Sequence, residues 1–284
     1  MPKIAVLQMT SGIDPEANFS VIESAARNAS DKGACILFTP EMSLLLDRNR
    51  KRAKQWVTSE KPEEIYDRFY QLAAELEMDI AIGSIPMLAN RREPDGKWAN
   101  RSIYFTRDQD QPTSYDKLHM FDVDLASGES WRESNAYEPG KFVVAEPHTP
   151  LGRLGLTVCY DLRFPALFDA LGKAQCDAIA VPAAFTKPTG EAHWHVLLRA
   201  RAIEASAFVI AAAQVGKHED GRETYGHSLV VDPWGEVLLD MGGEEAGLGF
   251  CEIDLDRIAE VRKQVPSLAN RREMPKSGYD NRMG

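Results

Sequence analysis

Residues 154–165 read LGLTVCYDLRFP, an apolar run followed by a polar turn and a proline. The run at residues 154–158 is typical of a buried strand, and Pro165 is typical of the first turn of a helix. Cys159 therefore lies where a strand ends and a turn begins, and a thiol at such a place can be exposed and activated. Unpaired cysteines are also common in hydrophobic cores, so this residue alone leaves a catalytic and a structural interpretation open.

Two other segments also place a charged group at the end of a predicted strand. Residues 35–42, CILFTPEM, form an apolar run that stops at a proline and places Glu41 next. In residues 114–122, SYDKLHMFD, Lys117 follows a short extended stretch. Each charge alone is most often solvated surface. Because open α/β sheets carry their chemistry just beyond the carboxyl ends of strands, the sequence predicts that these two residues and Cys159 converge in one pocket.

Strand-like and helix-like segments alternate along most of the chain. Strands are predicted at residues 3–9, 34–38, 80–85, 102–105, 154–158, 177–181, 208–213 and 249–253. Helices are predicted at residues 16–32, 62–78, 191–206 and 256–264, with another beginning near residue 165. Hairpin turns are predicted at 94–97 and 232–236. Because buried apolar runs and hairpins both occur, we expect an α/β fold with mixed sheets whose faces are covered by helices.

The domain organisation is expected to be simple. No segment is rich enough in Pro, Gly and Ser to be a linker, and no internal repeat is evident. One domain over residues 1–284 is therefore expected. Its polar tail, about residues 270–284, either wraps a partner subunit or is disordered.

Composition and charge limit the function classes. The chain has 284 residues, of which 44% are hydrophobic, enough for a folded core. No apolar run approaches the length of a membrane span, and the first residues do not match a secretion signal, so a cytoplasmic protein is expected. The formal net charge of −10 argues against a nucleic-acid partner. A dense basic segment at residues 48–54 is either a solvated face or a loop at the pocket mouth that attracts an anionic substrate.

The cysteines are expected to be free thiols. The chain has four of them, Cys35, Cys159, Cys176 and Cys251, and no C-x-x-C pair occurs. This spacing argues against a zinc ribbon or a redox motif. A chain of this length without a secretion signal has little need of disulfides.

Three segments resemble the signature segments of the nitrilase superfamily of carbon–nitrogen hydrolases: residues 38–41, 115–119 and 158–165. The likeness covers about residues 4–272 in the same order and includes residues 132–135, 190–194, 198–204 and 225–235. Within the superfamily the chain is most similar to the Nit-type branch. The resemblance implies a four-layer αββα sandwich with two mixed sheets, and a homodimer or higher homo-oligomer that pairs through one helical face.

The resemblance also implies catalytic roles. Amide hydrolysis needs a nucleophile, a base, an acid for the leaving nitrogen and donors for the oxyanion. By the resemblance, Cys159 attacks the carbonyl, Glu41 transfers protons, and Lys117 with the backbone N–H of Tyr160 stabilises the oxyanion. Glu133 matches the second glutamate of the superfamily and positions Lys117 or the substrate. These roles require no metal and no organic cofactor.

Substrate contacts are expected from Arg163, Thr186 and His193. Arg163 either pairs bidentately with a substrate carboxylate or has a structural role in the turn. Family members often carry a glutamate where this chain has His195, so no role is carried over to that position. His193 and His195 point in different directions on a helix, and no carboxylate or third histidine lies at ligand spacing, so no metal site is expected.

A small, anionic amide is the expected substrate. By the resemblance, residues 197–204 and 211–216 favour hydrolysis of deaminated glutathione to 2-oxoglutarate and cysteinylglycine. The alternative is omega-amidase action on 2-oxoglutaramate, which passes through the same acyl group on Cys159. True nitrile hydrolysis ranks lower because the flanking residues resemble the amidase branch. A non-catalytic scaffold subunit is a further alternative, but it would need none of the four catalytic candidates.

Overall fold

Two mixed β-sheets lie face to face at the centre of the protein. Its structure, a computed structural model, describes residues 1–108, 111–124, 128 and 130–273. The strands in the described residues are β1 (Lys3–Gln8), β2 (Ile36–Phe38), β3 (Asp79–Leu88), β4 (Trp98–Phe105), β5 (Thr113–Asp116), β6 (Asp122–Asp124), β7 (Ser130–Arg132), β8 (Val144–Thr149), β9 (Gly152–Leu156), β10 (Ala178–Ala180), β11 (Phe208–Ala211), β12 (Val215–Lys217), β13 (Glu223–Tyr225), β14 (Leu229–Val231), β15 (Val237–Asp240) and β16 (Gly247–Glu252). The helices are α1 (Pro15–Asp31), α2 (Arg50–Val57), α3 (Lys61–Glu75), α4 (Pro165–Lys173), α5 (Lys187–Ala205) and α6 (Asp256–Gln264).

Both large sheets have the same plan. The first has the strand order β16-β1-β2-β3-β4-β5 and the second has the order β15-β14-β11-β10-β9-β8. In each sheet three central strands are parallel, β1-β2-β3 and β9-β10-β11, and the outer strands pair antiparallel. The carboxyl ends of the parallel strands therefore supply one edge of each sheet for a site.

Side-chain alternation along the strands builds the layers. Ile4 and Val6 of β1 pack in one core with residues of the second sheet, such as Leu156. Ala5 and Leu7 of the same strand belong to a second core, which includes residues of α1, α2 and α3. The far side of the second sheet is covered by α4 and α5, whose apolar residues join the first core. The layers follow the period-two alternation of a strand, and the four-layer αββα sandwich with two mixed sheets is confirmed.

Most predicted elements are present, with shifted ends. Helix α6 has the predicted bounds, whereas α5 begins at Lys187 and not at residue 191. The earlier start reflects Pro188 in the first turn of the helix, where its fixed φ favours helix initiation. The ribbons β6-β7 and β12-β13 were not expected, because each strand has three residues and most of them are polar.

The C-terminal tail is described only at its start. Arg271 donates hydrogen bonds to the carbonyl oxygens of Asp169 and Glu204, so the chain still packs on α4 and α5 there. The rest of the predicted tail, residues 274–284, lies outside the described residues. Among the helices of the described part, none is both long and apolar enough to span a bilayer.

Candidate active site

Three sequence-predicted residues meet in one cavity at the carboxyl ends of the parallel strands. Glu41 follows β2, Cys159 follows β9, and Lys117 comes directly after β5. All three line a cavity of about 360 Å³, together with Glu133. A volume of this order is typical of a small-molecule site. The predicted convergence is therefore observed.

Lys117 is the centre of the charged group. Its side chain is only 2% exposed, and Nζ donates to Glu41 Oε1 at 2.9 Å and to Glu133 Oε2 at 2.9 Å. Asn100 Nδ2 bridges the same two carboxylates, at 2.9 Å from Glu41 Oε1 and 3.0 Å from Glu133 Oε1. Glu133 Oε2 also accepts a hydrogen bond from the backbone N–H of Phe121 at 2.7 Å. The ammonium therefore has a fixed position, set by two carboxylates that are themselves hydrogen-bonded.

Glu41 is held on both its backbone and its side chain. Its Oε2 accepts a hydrogen bond from the backbone N–H of Ala184 at 3.0 Å. Its backbone carbonyl accepts one from Gln214 Nε2 at 3.0 Å, and Gln214 is in turn bonded to Ser11. The residue is 5% exposed. These contacts join the loop after β2 in the first sheet to the loops after β10 and β11 in the second sheet. Glu41 therefore connects the two sheets.

Cys159 lies on a tight, left-handed turn. Its φ is +48°, a conformation that costs free energy for a residue with a side chain. Its backbone N–H donates to the carbonyl of Pro182 at 2.8 Å, which ties the turn to the loop after β10. A residue with this backbone, at a strand end followed by a 3₁₀ turn, is turned out of the sheet toward the cavity that it lines. We therefore interpret Cys159 as a site residue and not as a packing residue.

Burial and neighbouring charges determine the protonation states of Cys159, Glu41 and Lys117. Burial raises the pKa of the Cys159 thiol, the negative charge of Glu41 raises it further, and Lys117 only partly opposes them. Burial alone would raise the pKa of Glu41, but the charge of Lys117 and several hydrogen bonds lower it on balance. Burial likewise opposes the charge on Lys117, yet Glu133 and Glu41 raise its pKa well above the usual value. At neutral pH the group is a thiol, a carboxylate and an ammonium.

A buried aspartate fixes the turn that carries the thiol. Asp161 Oδ2 accepts hydrogen bonds from the Tyr115 hydroxyl at 2.7 Å and from the backbone N–H of Val158 at 2.9 Å. Its Oδ1 accepts from the backbone N–H of His119 at 3.0 Å and lies 2.7 Å from that residue's Nδ1. Tyr115 and His119 lie two residues before and after Lys117. Asp161 thus holds the lysine segment and the cysteine turn in one arrangement.

The predicted substrate-binding residues do not all reach the cavity. Arg163 and Thr186 line it, whereas His193 does not. His193 is exposed and accepts a hydrogen bond from Arg163 Nη1 at its Nδ1, 3.2 Å away. The guanidinium of Arg163 also lies 5.2 Å from the ring centre of Phe185. Any effect of His193 on the site must therefore pass through Arg163.

The basic segment at residues 48–54 lies partly at the cavity. Most of it forms the start of α2, and Arg48 and Arg50 line the cavity wall. Lys51 and Lys54 are exposed and are not part of that wall. The segment is therefore mostly exposed, as the first expectation has it, and two of its arginines also line the cavity; attraction of an anionic substrate by this segment stays a prediction.

The match to a family covers most of the chain. The family model described as carbon-nitrogen hydrolase matches residues 3–263. The chain belongs to the carbon–nitrogen hydrolase family. A deaminated glutathione amidase of Bos taurus is 37% identical over 272 residues, which cover 96% of this chain and 82% of that protein.

Solved structures agree with this membership. The C. elegans NitFhit protein has a TM-score of 0.87 and 34% identity, covering 95% of this chain and 65% of that one, so this chain spans about two thirds of its length. Saccharomyces cerevisiae Nit3, a member of branch 10 of the nitrilase superfamily, has a TM-score of 0.81 and 26% identity, covering 93% and 94%. The resemblance to the Nit-type branch that was expected from sequence is confirmed.

Three polar residues at the site of this carbon–nitrogen hydrolase were not singled out from sequence. Asn100 lies inside β4, Asp161 is two residues after Cys159, and Gln214 follows the apolar run that ends at residue 213. Each is 0–1% exposed. For Asp161 and Gln214 the available signal was a polar residue close to the end of a predicted buried strand, because such a group needs a partner. Asn100 lies before the predicted strand 102–105 and gave no such signal. Which partner each residue finds depends on the packing of the two sheets.

A second cluster of the hydrolase could hold a metal ion away from this cavity. Asp240 contacts His195 Nε2 at 2.9 Å and His227 Nδ1 at 2.8 Å, and the three ligand atoms lie within 4.8 Å of one another. The expectation that no metal site is present depended on spacing along the sequence, whereas the fold brings a carboxylate and a third histidine to His195. Asp240 is 45 residues further along, so spacing along the sequence did not indicate it. None of the three lines the cavity.

Proposed function

We propose that this chain is a cysteine-dependent amidase that hydrolyses deaminated glutathione to 2-oxoglutarate and cysteinylglycine. The name of the bovine relative supports the substrate, and the family supports hydrolysis of a carbon–nitrogen bond. The observation that carries the mechanism is the buried Lys117 ammonium, bound to Glu41 and Glu133 in the same cavity as the Cys159 thiol. A non-catalytic scaffold has no need of this costly arrangement of buried charges.

In the first half of the proposed reaction, Cys159 is acylated. Its Sγ forms a bond to the amide carbon while Glu41 takes the thiol proton. Glu41 then gives that proton to the leaving nitrogen, and the C–N bond breaks to release cysteinylglycine. The raised pKa of the thiol makes this base necessary, because few molecules would hold a free thiolate at neutral pH.

In the second half, water cleaves the thioester. Glu41, ionised again, takes a proton from water as the water oxygen bonds to the acyl carbon. The C–S bond of the tetrahedral intermediate then breaks to release 2-oxoglutarate, and Glu41 returns the proton to sulfur. Glu41 has a lowered pKa, so it is a carboxylate at neutral pH and ready to act as the base.

We assign the oxyanion in both halves to Lys117 and to the backbone N–H of Tyr160. Lys117 keeps its proton because its pKa is raised, so it acts as a fixed positive charge and not as an acid. Glu133 is assigned to positioning, since it binds Lys117 and the backbone of Phe121 but is not expected to exchange protons. Arg163 is assigned to the carboxylate of the 2-oxoglutaryl group.

Kinetics of two variants test the proposed function. For Cys159→Ala we expect kcat/KM for deaminated glutathione to fall by about 10³-fold or more, because the nucleophile is lost. Cys251→Ala is the matched control: it removes a thiol that does not line the cavity and should leave the rate near that of the wild type. Undiminished hydrolysis by Cys159→Ala would overturn the mechanism. A wild-type preference for 2-oxoglutaramate would replace the substrate by that of an omega-amidase.

We further infer a homo-oligomeric, cytoplasmic protein with one domain. All four cysteines lie in the described residues and are free thiols, as expected, which favours a reducing compartment. The core between the sheets draws residues from both halves of the chain, which supports one folding unit. Exposed apolar residues on α5 and near β15 support self-association.

A further inference from the structure

The catalytic cavity is far more cationic than the chain around it. The whole chain has a formal net charge of −10, yet the described lining carries six cationic side chains and four carboxylates. Outside the catalytic group, five arginines remain against Asp47 and Glu223. Both carboxylates are paired with cations outside the lining, Arg52 and Lys187 respectively. Two of the arginines are likewise paired with carboxylates outside the lining, Arg132 with Asp124 and Arg222 with Asp220. This lining is suited to a substrate with more than one negative charge.

The arginines form two separate groups on different aromatic side chains. Arg163 lies over Phe185 and Tyr160, with 5.2 and 5.8 Å from its Cζ to the ring centres. None of the described carboxylates forms an ion pair with it. The second group consists of Arg48 and Arg222, whose Cζ atoms lie 4.3 and 5.3 Å from the ring centre of Trp131. We call this second group the Trp131 wall.

Asp220 holds both arginines of the Trp131 wall in place. Arg222 binds Asp220 through Nε and Nη2, with a shortest distance of 2.6 Å, and the backbone N–H of Arg48 donates to the same carboxylate at 3.0 Å. The side chain of Asp220 is only 1% exposed. The indole Nε1 of Trp131 is buried and has no hydrogen-bond partner among the described residues. A planar ring and two guanidinium groups form this wall of the cavity, and guanidinium groups bind carboxylates in a bidentate geometry.

We propose that the Trp131 wall binds a carboxylate on the leaving-group side of the substrate. This inference rests on the proposed function, in which Glu41 gives its proton to the leaving nitrogen. The leaving nitrogen must then lie near Glu41, and most residues of the segment from Glu41 to Arg48 line the same cavity. Arg163, four residues after the nucleophile, remains for the acyl side.

This assignment separates two substrates that share an acyl group. Deaminated glutathione carries one carboxylate on each side of the scissile amide, whereas 2-oxoglutaramate has only the acyl-side carboxylate and releases ammonia. The Trp131 wall therefore acts on the first substrate alone. It is a specificity site, and it does not take part in bond breaking.

The test uses three substrates and Arg48→Met, which keeps an unbranched side chain over Trp131 and removes the charge. The substrates are deaminated glutathione, its analogue with a neutral carboxamide at the glycine end, and 2-oxoglutaramate. We expect the wild type to prefer the carboxylate over the carboxamide by about tenfold or more in kcat/KM. In Arg48→Met this preference should largely disappear, while the rates for the carboxamide and for 2-oxoglutaramate stay near wild type.

Lys51→Met is the matched control, because it removes one positive charge from the same segment, and its side chain is exposed like that of Arg48 but is not part of the cavity wall. It should keep the full preference. The proposal is overturned if the wild type does not distinguish carboxylate from carboxamide, if Arg48→Met keeps the preference, or if it loses all three activities equally.

A binding measurement separates failure of this inference from failure of the proposed function. Calorimetry on Cys159→Ala, with deaminated glutathione as the probe, does not depend on turnover. Introducing Arg48→Met into that protein should weaken binding of this probe by about tenfold and leave 2-oxoglutaramate unaffected. If Arg48→Met weakens binding in this way but the wild type does not hydrolyse deaminated glutathione, the proposed function is overturned and the proposed subsite is supported. Equal binding with and without Arg48 would overturn the subsite.

Discussion

At Cys159 the surroundings oppose the thiolate that amide cleavage needs. The thiol is 7% exposed and lies beside an ionised carboxylate, and both conditions raise its pKa. The nearby ammonium lowers it only in part. The free enzyme should thus keep an inert thiol at rest and form the nucleophile only when Glu41 removes its proton toward a bound substrate.

Glu41→Gln tests this assignment, because it should slow hydrolysis and at the same time make the Cys159 thiolate easier to form. The variant loses the base, so hydrolysis should fall strongly. It also loses the negative charge that raises the pKa of Cys159, so the thiolate should form at lower pH than in the wild type. The measurement is the rate of iodoacetamide alkylation against pH, with Cys159→Ser subtracted as background. A pKa of Cys159 that is unchanged or higher in Glu41→Gln would contradict the assigned electrostatics.

At the level of single residues, the catalytic candidates could be predicted from sequence, but most of their hydrogen-bond partners could not. Glu41, Lys117 and Cys159 follow short strands, and that pattern together with the resemblance to the superfamily led to the prediction of one shared pocket. Asn100 could not be assigned in the same way, because its role depends on two carboxylates brought to it by other segments. His193 matches the expected segment but is not part of the cavity wall.

At the level of elements, the turn after β9 and the segment after β5 share one buried anchor. Asp161 is fully buried and accepts from Tyr115, Val158 and His119, so its removal would leave several donors unpaired at once. Gly83 of β3 shows how closely the loops after β2 and β10 approach one another beside the site. A Cβ at that position would lie 2.1 Å from the carbonyl oxygen of Thr39 and 2.5 Å from Pro182 Cβ.

Graded variants of the anchor should show its effect on stability and on rate. Tyr115→Phe removes one hydrogen bond and should lower the free energy of unfolding by about 1 kcal/mol. Asp161→Ala leaves several buried donors unpaired and should cost about 3 kcal/mol or more, with a lower kcat because the cysteine turn is no longer fixed. Urea denaturation and steady-state kinetics measure both. Equal costs for the two variants, or an Asp161→Ala enzyme with wild-type kcat, would contradict this role.

The helices and longer strands could be predicted because their apolar spacing is strong and local. The short ribbons could not, since three-residue polar strands carry too few residues to show a period. The ribbon β6-β7 matters for function nonetheless, because it delivers Trp131 and leads into Glu133. Its position is set by contacts with distant segments and not by its own sequence.

At the scale of the whole molecule, one outer face of the sandwich is unusually apolar. On α5 and around β15, large side chains are 38–69% exposed: Val196, Ile203, Trp234, Val237 and Leu238. Ile203 contacts the turn before β15, because a Cβ on Gly235 would lie 2.7 Å from its Cδ1. The helix and the hairpin therefore present one continuous surface, which fits the proposed homo-oligomer.

Ile203→Glu should disrupt this association, because it places a charge in the middle of that surface. By sedimentation velocity we expect the wild type to be a dimer or larger and the variant to shift to the monomer. Its unfolding temperature should also lose its dependence on protein concentration. Val21→Glu is the control, since Val21 is 49% exposed on α1, in the opposite outer layer. A wild-type monomer, or an Ile203→Glu protein of unchanged size, would contradict the proposed face.

The central claim is that a thiol, a carboxylate and an ammonium from distant segments act together through an acyl-enzyme. The most direct measurement is mass spectrometry of the protein after rapid acid quenching during turnover of deaminated glutathione. We expect a 2-oxoglutaryl adduct on the peptide that contains Cys159, and no adduct in Cys159→Ala. Turnover without an adduct, or an adduct on Cys35, Cys176 or Cys251 instead, would contradict the account.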